Sequence, residues 1–478
     1  MLNSRIVNIV ALYVPVAIFL FTGFYGVTLG FGGGDDAGSV YGIVETITSF
    51  NYRPSRVWGY PGYEIPAAFI VKYFGLHIGN LYALLWGCIY LYFSYLIIKN
   101  SPNFYLVFPA LVLSPLLLIN NSVLLDYTQE AGLFVIAVWL ALRFESSREI
   151  KWLYFMIPVV AWDVLTRPDY VVFVGCLFLA LILVSSISNK ERLKIFSLFA
   201  IAGVVTISVF YALNDGFDNF TKINYLLDSP LWRRPPRALF GIIIMLTPIG
   251  FLATSYILFY KRKEVMFAIA NFSQQDLLTR LFIVSVLFGL GRYFLQPDKL
   301  EFIFWEFTLF LFVLSFANIK KQILAVMTVP IMISPFLTIA LFERDFEDYG
   351  LRIAPSIQHG AFIQKTEKRE WNLYRERSNF DQIIKEAVRR DFPECKTVTF
   401  GYLDEGVDCL VTDKWSVHQV LGLTATSGSK AKNFKYVLIS DLPIEGWRGF
   451  RVLQGWESFD KTREYFEKHK NLPFKKHE

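Results

Sequence analysis

Charge is scarce in this chain. Only 18% of its 478 residues are Asp, Glu, Lys or Arg, against about one quarter in a soluble domain, so a water-soluble globule is excluded as its main body. Signatures of nucleotide and nucleophile chemistry are missing too: there is no P-loop, no Gly-x-Ser-x-Gly elbow and no dinucleotide fingerprint. The five histidines (His77, His359, His418, His469 and His477) are scattered. No metal-ligand spacing or cofactor motif stands out, and a divalent metal is not indicated. Cysteine is rare. Cys88 and Cys176 fall in apolar runs and read as packing residues, whereas Cys395 and Cys409 lie in a polar C-terminal region where an extracytoplasmic location would permit a disulfide. The net charge of +6 is modest and reads as loop lysines and arginines near lipid head groups, not as a nucleic-acid surface. No internal repeat or low-complexity tract is evident.

Apolar length is what the chain has in abundance. It is 54% hydrophobic and 17% aromatic, and many of its runs are long enough to cross about 30 Å of hydrocarbon. The first run, residues 6–29, is too long for a signal-peptide core, and no small-residue cleavage site follows it. It reads as a retained span. Further spans are expected at residues 80–98, 105–119, 132–142, 152–164, 171–184, 195–213, 238–260, 281–290, 302–317 and 323–342. The fold class is an all-α polytopic membrane protein of about eleven spans. Residues 63–76 are ambiguous, because Glu64, Pro66 and Lys72 interrupt a run of re-entrant or interfacial length.

Basic residues decide the threading. With the N-terminus in the cytoplasm and residues 63–76 kept on the outer face, every short cluster falls inside: Lys99, Arg143/Arg148/Lys151, Lys190/Arg192/Lys194, Lys261/Arg262/Lys263 and Lys320/Lys321. This is what the positive-inside rule requires. Counting 63–76 as a span would put the later clusters outside. The chosen threading divides the chain into a membrane part, residues 1–342, and an extracytoplasmic α/β domain, residues 343–478. In that domain 374–392 and 459–469 read as helices, and 397–400, 436–439 and 450–453 as strands.

On the outer side the charged residues look equipped for chemistry. The first loop carries Asp35 and Asp36 after three glycines, followed by Val40, Ile43, Val44, Ile47 and Phe50 at the spacing of an interfacial helix. One Asp would cap that helix; a carboxylate at a cavity mouth would also accept a proton from a hydroxyl. The residues leave both open. Tyr60-Pro61-Gly62-Tyr63 marks a turn whose aromatics suit the membrane interface or a sugar ring. Asp126 and Glu130 stand four apart, on one helix face. The next turn holds Asp163, Thr166, Arg167, Pro168 and Asp169, with Arg167 a candidate partner for an acid at the rim. Arg233, Arg234 and Arg237 surround a Pro-Pro stiffener, and Arg292, Tyr293 and Lys299 occupy a late loop. Arginine forks match phosphate oxygens, although a membrane anchor would look similar.

Asp35 and Asp36 early in a long first loop, Asp126 at the start of a later span and Arg292–Pro297 in a late loop together resemble the GT-C fold of integral-membrane glycosyltransferases. The resemblance covers about 340 residues of membrane part. It departs from protein mannosyltransferases and aminoarabinose transferases in having Asp-Asp where those have Asp-Glu, which leaves bacterial polysaccharide-modifying enzymes as nearer candidates. It implies a polyprenyl-phosphate-linked sugar donor, its phosphate met by Arg233, Arg234 or Arg292. It also implies catalytic roles for Asp35, Asp36 and Asp126, with Glu130, Arg167, Arg237, Tyr293 and Lys299 contacting substrate. The acceptor would be a hydroxyl of a glycan, lipopolysaccharide, O-antigen or other surface polymer, reached at the outer face of a bacterial inner membrane. The competing readings are a flippase, a polymerase or ligase of lipid-linked saccharides, and a scaffold without catalysis.

Overall fold

A computed structural model describes residues 4–27, 52, 59–114, 117–118, 121–122, 124, 126–213, 234–295 and 304–334 of the membrane part. In the C-terminal region it describes 390, 393–395, 398–400, 409–413, 436–440 and 450–453. The helices are α1 (Ser4–Val27), α2 (Pro61–Phe74), α3 (Leu76–Ile98), α4 (Phe104–Val112), α5 (Asp126–Ser147), α6 (Lys151–Thr166), α7 (Val171–Ile182) and α8 (Asn189–Leu213). They continue as α9 (Arg234–Leu246), α10 (Pro248–Tyr260), α11 (Arg262–Ala270), α12 (Leu277–Leu295), α13 (Phe304–Phe316) and α14 (Lys321–Ile333). Among the described residues four helices are long and apolar enough to cross a membrane: α1, α3, α8 and α12. Helices α7, α13 and α14 are shorter but equally apolar. Many side chains on α8 and α10 point outward, among them Val204, Leu252, Phe259 and Tyr260. Water does not tolerate apolar faces of that extent, and a bilayer does.

Two expected spans are interrupted. Within the expected span at 105–119, α4 ends at Val112, the chain turns at Leu113–Ser114, just before Pro115, and Leu117–Leu118 are helical again. Proline disfavours helical backbone in the residue ahead of it. The expected span at 238–260 is two helices, α9 and α10, bent by 100°. The break is Thr247, whose φ of 63° is left-handed, directly before Pro248. Its hydroxyl accepts the Gly250 amide at 3.3 Å and so caps α10. The basic turn at Lys261–Lys263 opens into a short helix of its own, α11.

Packing defines two ends of the bundle. Helices α3 and α5 run parallel: Tyr82 bonds Gln129 at 2.6 Å, and Phe93 meets Trp139 farther along at 5.2 Å. Helix α6 returns antiparallel, with Trp152 against Trp139 and Trp162 against Trp86. At the end where α3 and α5 finish, the basic turns meet. The Arg148 guanidinium donates to Ser186 at 2.8 Å, the Ser185 amide to the Ser273 carbonyl at 3.1 Å, and the Asn103 amide group to Leu314 and Ala317 carbonyls. Buried Arg280 completes this end. It donates to the Ala180 and Gln275 carbonyls and pairs with Glu145, which also accepts the Leu277 amide.

Helix α2 stays at the opposite end. Its first turn abuts α6, since a Cβ on Gly62 would come within 2.7 Å of Leu165 and Thr166 backbone atoms. Val71, near its last turn, packs on Gly79 and Leu124. The chain then reverses at Gly75, whose φ of +83° suits glycine, and enters α3. A helix held at both its ends on one side of the bundle does not traverse it.

In the C-terminal region β1 (Val398–Phe400), β2 (Cys409–Asp413), β3 (Tyr436–Ser440) and β4 (Phe450–Leu453) form one sheet in the order β1-β2-β3-β4. The first two pairings are parallel and the last antiparallel. Strand β2 was not expected from the sequence: its five residues end in Thr-Asp and its apolar stretch is too short to stand out. The expected helices at 374–392 and 459–469 lie outside the described residues, apart from Arg390. Cys395 is disulfide-bonded, while Cys88 and Cys176 are free thiols.

Removing the Arg280 cation leaves Glu145 paired with no guanidinium in a largely buried site. Arg280→Ala is expected to cost about 3 kcal/mol of stability, measured as a lowered thermal unfolding midpoint in detergent. An unchanged midpoint would show that this pair does not secure the end of the bundle.

Candidate functional site

The site begins with a proline. Pro168 prevents helical backbone at Arg167, which is extended at φ −146° and ψ 114° and ends α6. The Arg167 side chain turns into the bundle, where it is 3% exposed. A guanidinium does not deprotonate in proteins, so burial demands partners, and three acids supply them. Asp126 lies 3.5 Å away, Glu130 3.0 Å and Asp169 3.3 Å. Asp126 and Glu130 come from the first turns of α5. Asp169 comes from the 3-10 turn Pro168–Tyr170 that follows Arg167. The Tyr127 ring lies against Arg167 at 5.3 Å.

Asp169 links this cluster to a second arginine. Its other oxygen accepts from Arg292, near the end of α12, at 2.6 Å. Burial opposes the ionisation of Asp169, but the charges of Arg167 and Arg292 outweigh it and hold the carboxyl below its ordinary range. Arg292 stacks on Trp305 at 5.0 Å, and Trp305 in turn packs on Tyr170 and Phe173. Asp126 and Glu130 are almost fully enclosed, whereas the Asp169 and Arg292 side chains keep 18% and 11% exposure. The accessible side of the cluster is therefore the Asp169–Arg292 side.

A further acid, Asp163, lies one turn before Arg167 on α6. It is fully buried, and neither of its oxygens has a hydrogen-bond partner among the described residues. It lies within the electrostatic reach of Glu130, Asp169 and Arg167. The described cluster thus sets four carboxylates against two guanidiniums, an arrangement that favours sharing or storing protons. No group of three or more His, Cys, Asp or Glu residues among the described residues has the arrangement of a metal site.

Neutral hydrogen bonds hold the wall. The Gln129 side-chain amide donates to the Gly62 carbonyl and to the Thr166 hydroxyl, each at 2.8 Å, and accepts from Tyr82. The Trp162 indole donates to the same Gly62 carbonyl at 2.8 Å. This clamp fastens the Tyr60–Tyr63 turn to the end of α6. Tyr60 lies within the electrostatic reach of Arg167.

Of the residues singled out in sequence, the structure brings together Asp126, Glu130, Arg167 and Arg292. Tyr293 is fully buried next to Arg292. Arg234 is buried at the head of α9, which packs on α12 and α14. Asp35, Asp36, Arg233 and Lys299 lie outside the described residues, as does the Arg237 side chain. Asp163 and Asp169 were placed in an outer turn from sequence but given no role, and Tyr170, Trp305 and Glu306 were not singled out. Asp169 reads there as a turn residue after Arg-Pro, although Arg167 and Asp169 stand only two apart. Glu306 is an acid inside an apolar run, and that alone is a functional signal.

If the cluster is held electrostatically, Arg167→Met strands three acids and costs about 3–5 kcal/mol. Combining it with Glu130→Leu should recover part of the loss. Thermal unfolding of the two variants checks this, and a double variant no more stable than the single one would refute the ionic account.

No protein-family model matches the chain, and no curated protein sequence matches it. Among solved structures it is similar to the crystal structure of ArnT from Cupriavidus metallidurans bound to undecaprenyl phosphate. The TM-score is 0.56 at 11% sequence identity, over 90% of this chain and 92% of that one. At that identity the likeness is one of fold. The mostly helical chain, with several helices apolar enough for a membrane, is similar in architecture to that protein.

Proposed function

We propose that this protein is an integral-membrane glycosyltransferase that moves a sugar from a polyprenyl-phosphate donor to an acceptor hydroxyl. One observation carries the reading. The fold similar to that of a protein solved with undecaprenyl phosphate has, at one end of its apolar bundle, an arginine pair, Arg167 and Arg292, bridged by Asp169. A lipid-linked donor suits such a bundle, with its tail among the helices and its phosphate at the more open Arg292.

In this reading the cluster end faces outward and the end carrying the basic turns faces the cytoplasm, as the positive-inside rule favours. Residues 343–478 are then an extracytoplasmic α/β domain, a location that agrees with a disulfide at Cys395. The acceptor is a glycan or other cell-envelope polymer of the polysaccharide-modifying class.

The chemistry follows from charge. The acceptor oxygen attacks the anomeric carbon as its proton passes to a carboxylate, Asp35 or Asp36; Asp126, enclosed and paired with Arg167, is the further acid. The bond between that carbon and the phosphate oxygen breaks, and polyprenyl phosphate leaves with the electron pair. Attack opposite the leaving group inverts the configuration. Arg292 stabilises the negative charge that develops on the phosphate. Arg167 is surrounded by acids and acts from behind by fixing Asp169, which fixes Arg292.

Purified protein should transfer sugar from a polyprenyl-phosphate hexose to a cell-envelope glycan. Substituting the true base among Asp35→Asn and Asp36→Asn should lower kcat about 10²- to 10⁴-fold, and Arg292→Gln should lower it about 10²- to 10³-fold. Full activity in both Asp variants would remove them from the mechanism. Movement of the lipid across vesicles without sugar transfer would favour a flippase instead.

A further inference from the structure

Glu306 is a buried charge that the proposed chemistry does not use. It lies in the first turn of α13, 5% exposed, and neither carboxylate oxygen has a hydrogen-bond partner among the described residues. The Trp305 side chain and the backbone amide of Glu306 lie near it without reaching hydrogen-bond geometry. Burying a carboxylate in an apolar bundle is costly, so such acids carry function more often than other buried residues do.

Gly289 makes the room for it. A Cβ built there would collide with Glu306 Oε1 and approach Trp305 Cζ2 at 3.1 Å. Gly289 and Arg292 are three residues apart on α12 and share a face. Trp305 is therefore flanked by the Glu306 carboxylate and by the Arg292 guanidinium stacked on its ring. Glu306 feels the positive charge of Arg292 and the negative charge of Asp169. The other titratable groups near it on the elements packed around it are Tyr293 on α12, Cys176 on α7, Tyr170 in the 3-10 turn and Tyr90 on α3. Helix α4, which also packs on α13, carries no charged residue. Among these described neighbours Arg292 is the one cation.

We propose that Glu306 takes up a proton when Arg292 engages a phosphate anion, so that lipid-phosphate binding is coupled to protonation of one buried carboxyl. This rests on the reading of Arg292 as the phosphate ligand. At a pH above the titration of Glu306 in the free protein, Asp169 and the ionised Glu306 share the Arg292 charge before the anion arrives. Phosphate brings a third negative group to the same guanidinium, in surroundings of low dielectric where repulsion is strong. A proton from solvent, bound at a Glu306 carboxylate oxygen, removes one of the three. Linkage then requires phosphate to bind more tightly at low pH. Affinity falls by up to about tenfold per pH unit above the titration of Glu306 in the free protein. Glu306 acts through Arg292 and is a positioning residue.

The test titrates the purified full-length protein with farnesyl methyl phosphate, a lipid phosphodiester whose single charge is constant across the neutral range. Calorimetry in buffers of different ionisation enthalpy counts the protons taken up. At a pH above the titration of Glu306 in the free protein, the wild type is expected to bind with proton uptake, and Glu306→Gln to bind without it and with a flattened pH profile. Infrared difference spectra of the wild type supply a readout that needs no variant: a protonated-carboxyl band should appear on binding. Binding without uptake or band, or uptake unchanged in Glu306→Gln, overturns the coupling and leaves the phosphate reading standing. No binding at all overturns the phosphate reading, and this one with it.

Discussion

The burial of Arg167 is the constraint on which the rim of the bundle depends. Its guanidinium stays charged, so folding must bring acids to it. Those acids arrive from different parts of the chain: Asp126 and Glu130 from α5, and Asp169 from the turn after α6. Once they are in place, Asp169 fixes Arg292 on α12. Segments more than a hundred residues apart are thereby tied at one point. The neutral clamp of Gln129, Trp162 and the Gly62 carbonyl locks α2 against the same corner.

Polar contacts are concentrated at the two ends of the bundle, and the space between them is filled largely by aromatic and aliphatic packing, as in Phe134 on Phe173 and Phe93 on Trp139. The ends are not equivalent. At one, Glu145 and Arg280 form a pair whose remaining valences are taken by backbone groups, a finished structural joint. At the other, carboxylates outnumber guanidiniums and Asp163 has no hydrogen-bond partner among the described residues. The surplus carboxylates at this end can take up protons, and Asp169 and Arg292 keep part of their surface exposed.

Much of this was legible in the sequence, and the failures have physical causes. Asp126 and Glu130 share a helix face by spacing alone, and Arg167 was a visible candidate partner for an acid. Asp169 was given no role because a residue after Arg-Pro looks like turn chemistry; its use as a bridge depends on Arg292, which lies 123 residues away. Glu306 was a visible signal that went unused, an acid inside an apolar run. The bend at Thr247 escaped because apolar residues continue on both sides of Pro248, so hydropathy sees one span where the backbone makes two helices. Strand β2 has too few apolar residues to announce itself, and its partners are set by pairing across the sheet.

Composition and periodicity by themselves determined that this is a helical membrane protein, with basic residues in one set of turns and arginines and acids in the other. Those properties are local, because hydropathy and helical period are carried by neighbouring residues. Which acids share which arginine was decided only in three dimensions. Residues 126, 130, 167, 169 and 292 meet because helix packing brings them together, and sequence separation carries no information about that. The likeness to ArnT, at 11% identity over nine-tenths of both chains, shows the same thing. Side chains on a bundle surface are interchangeable in ways that the placement of the helices is not.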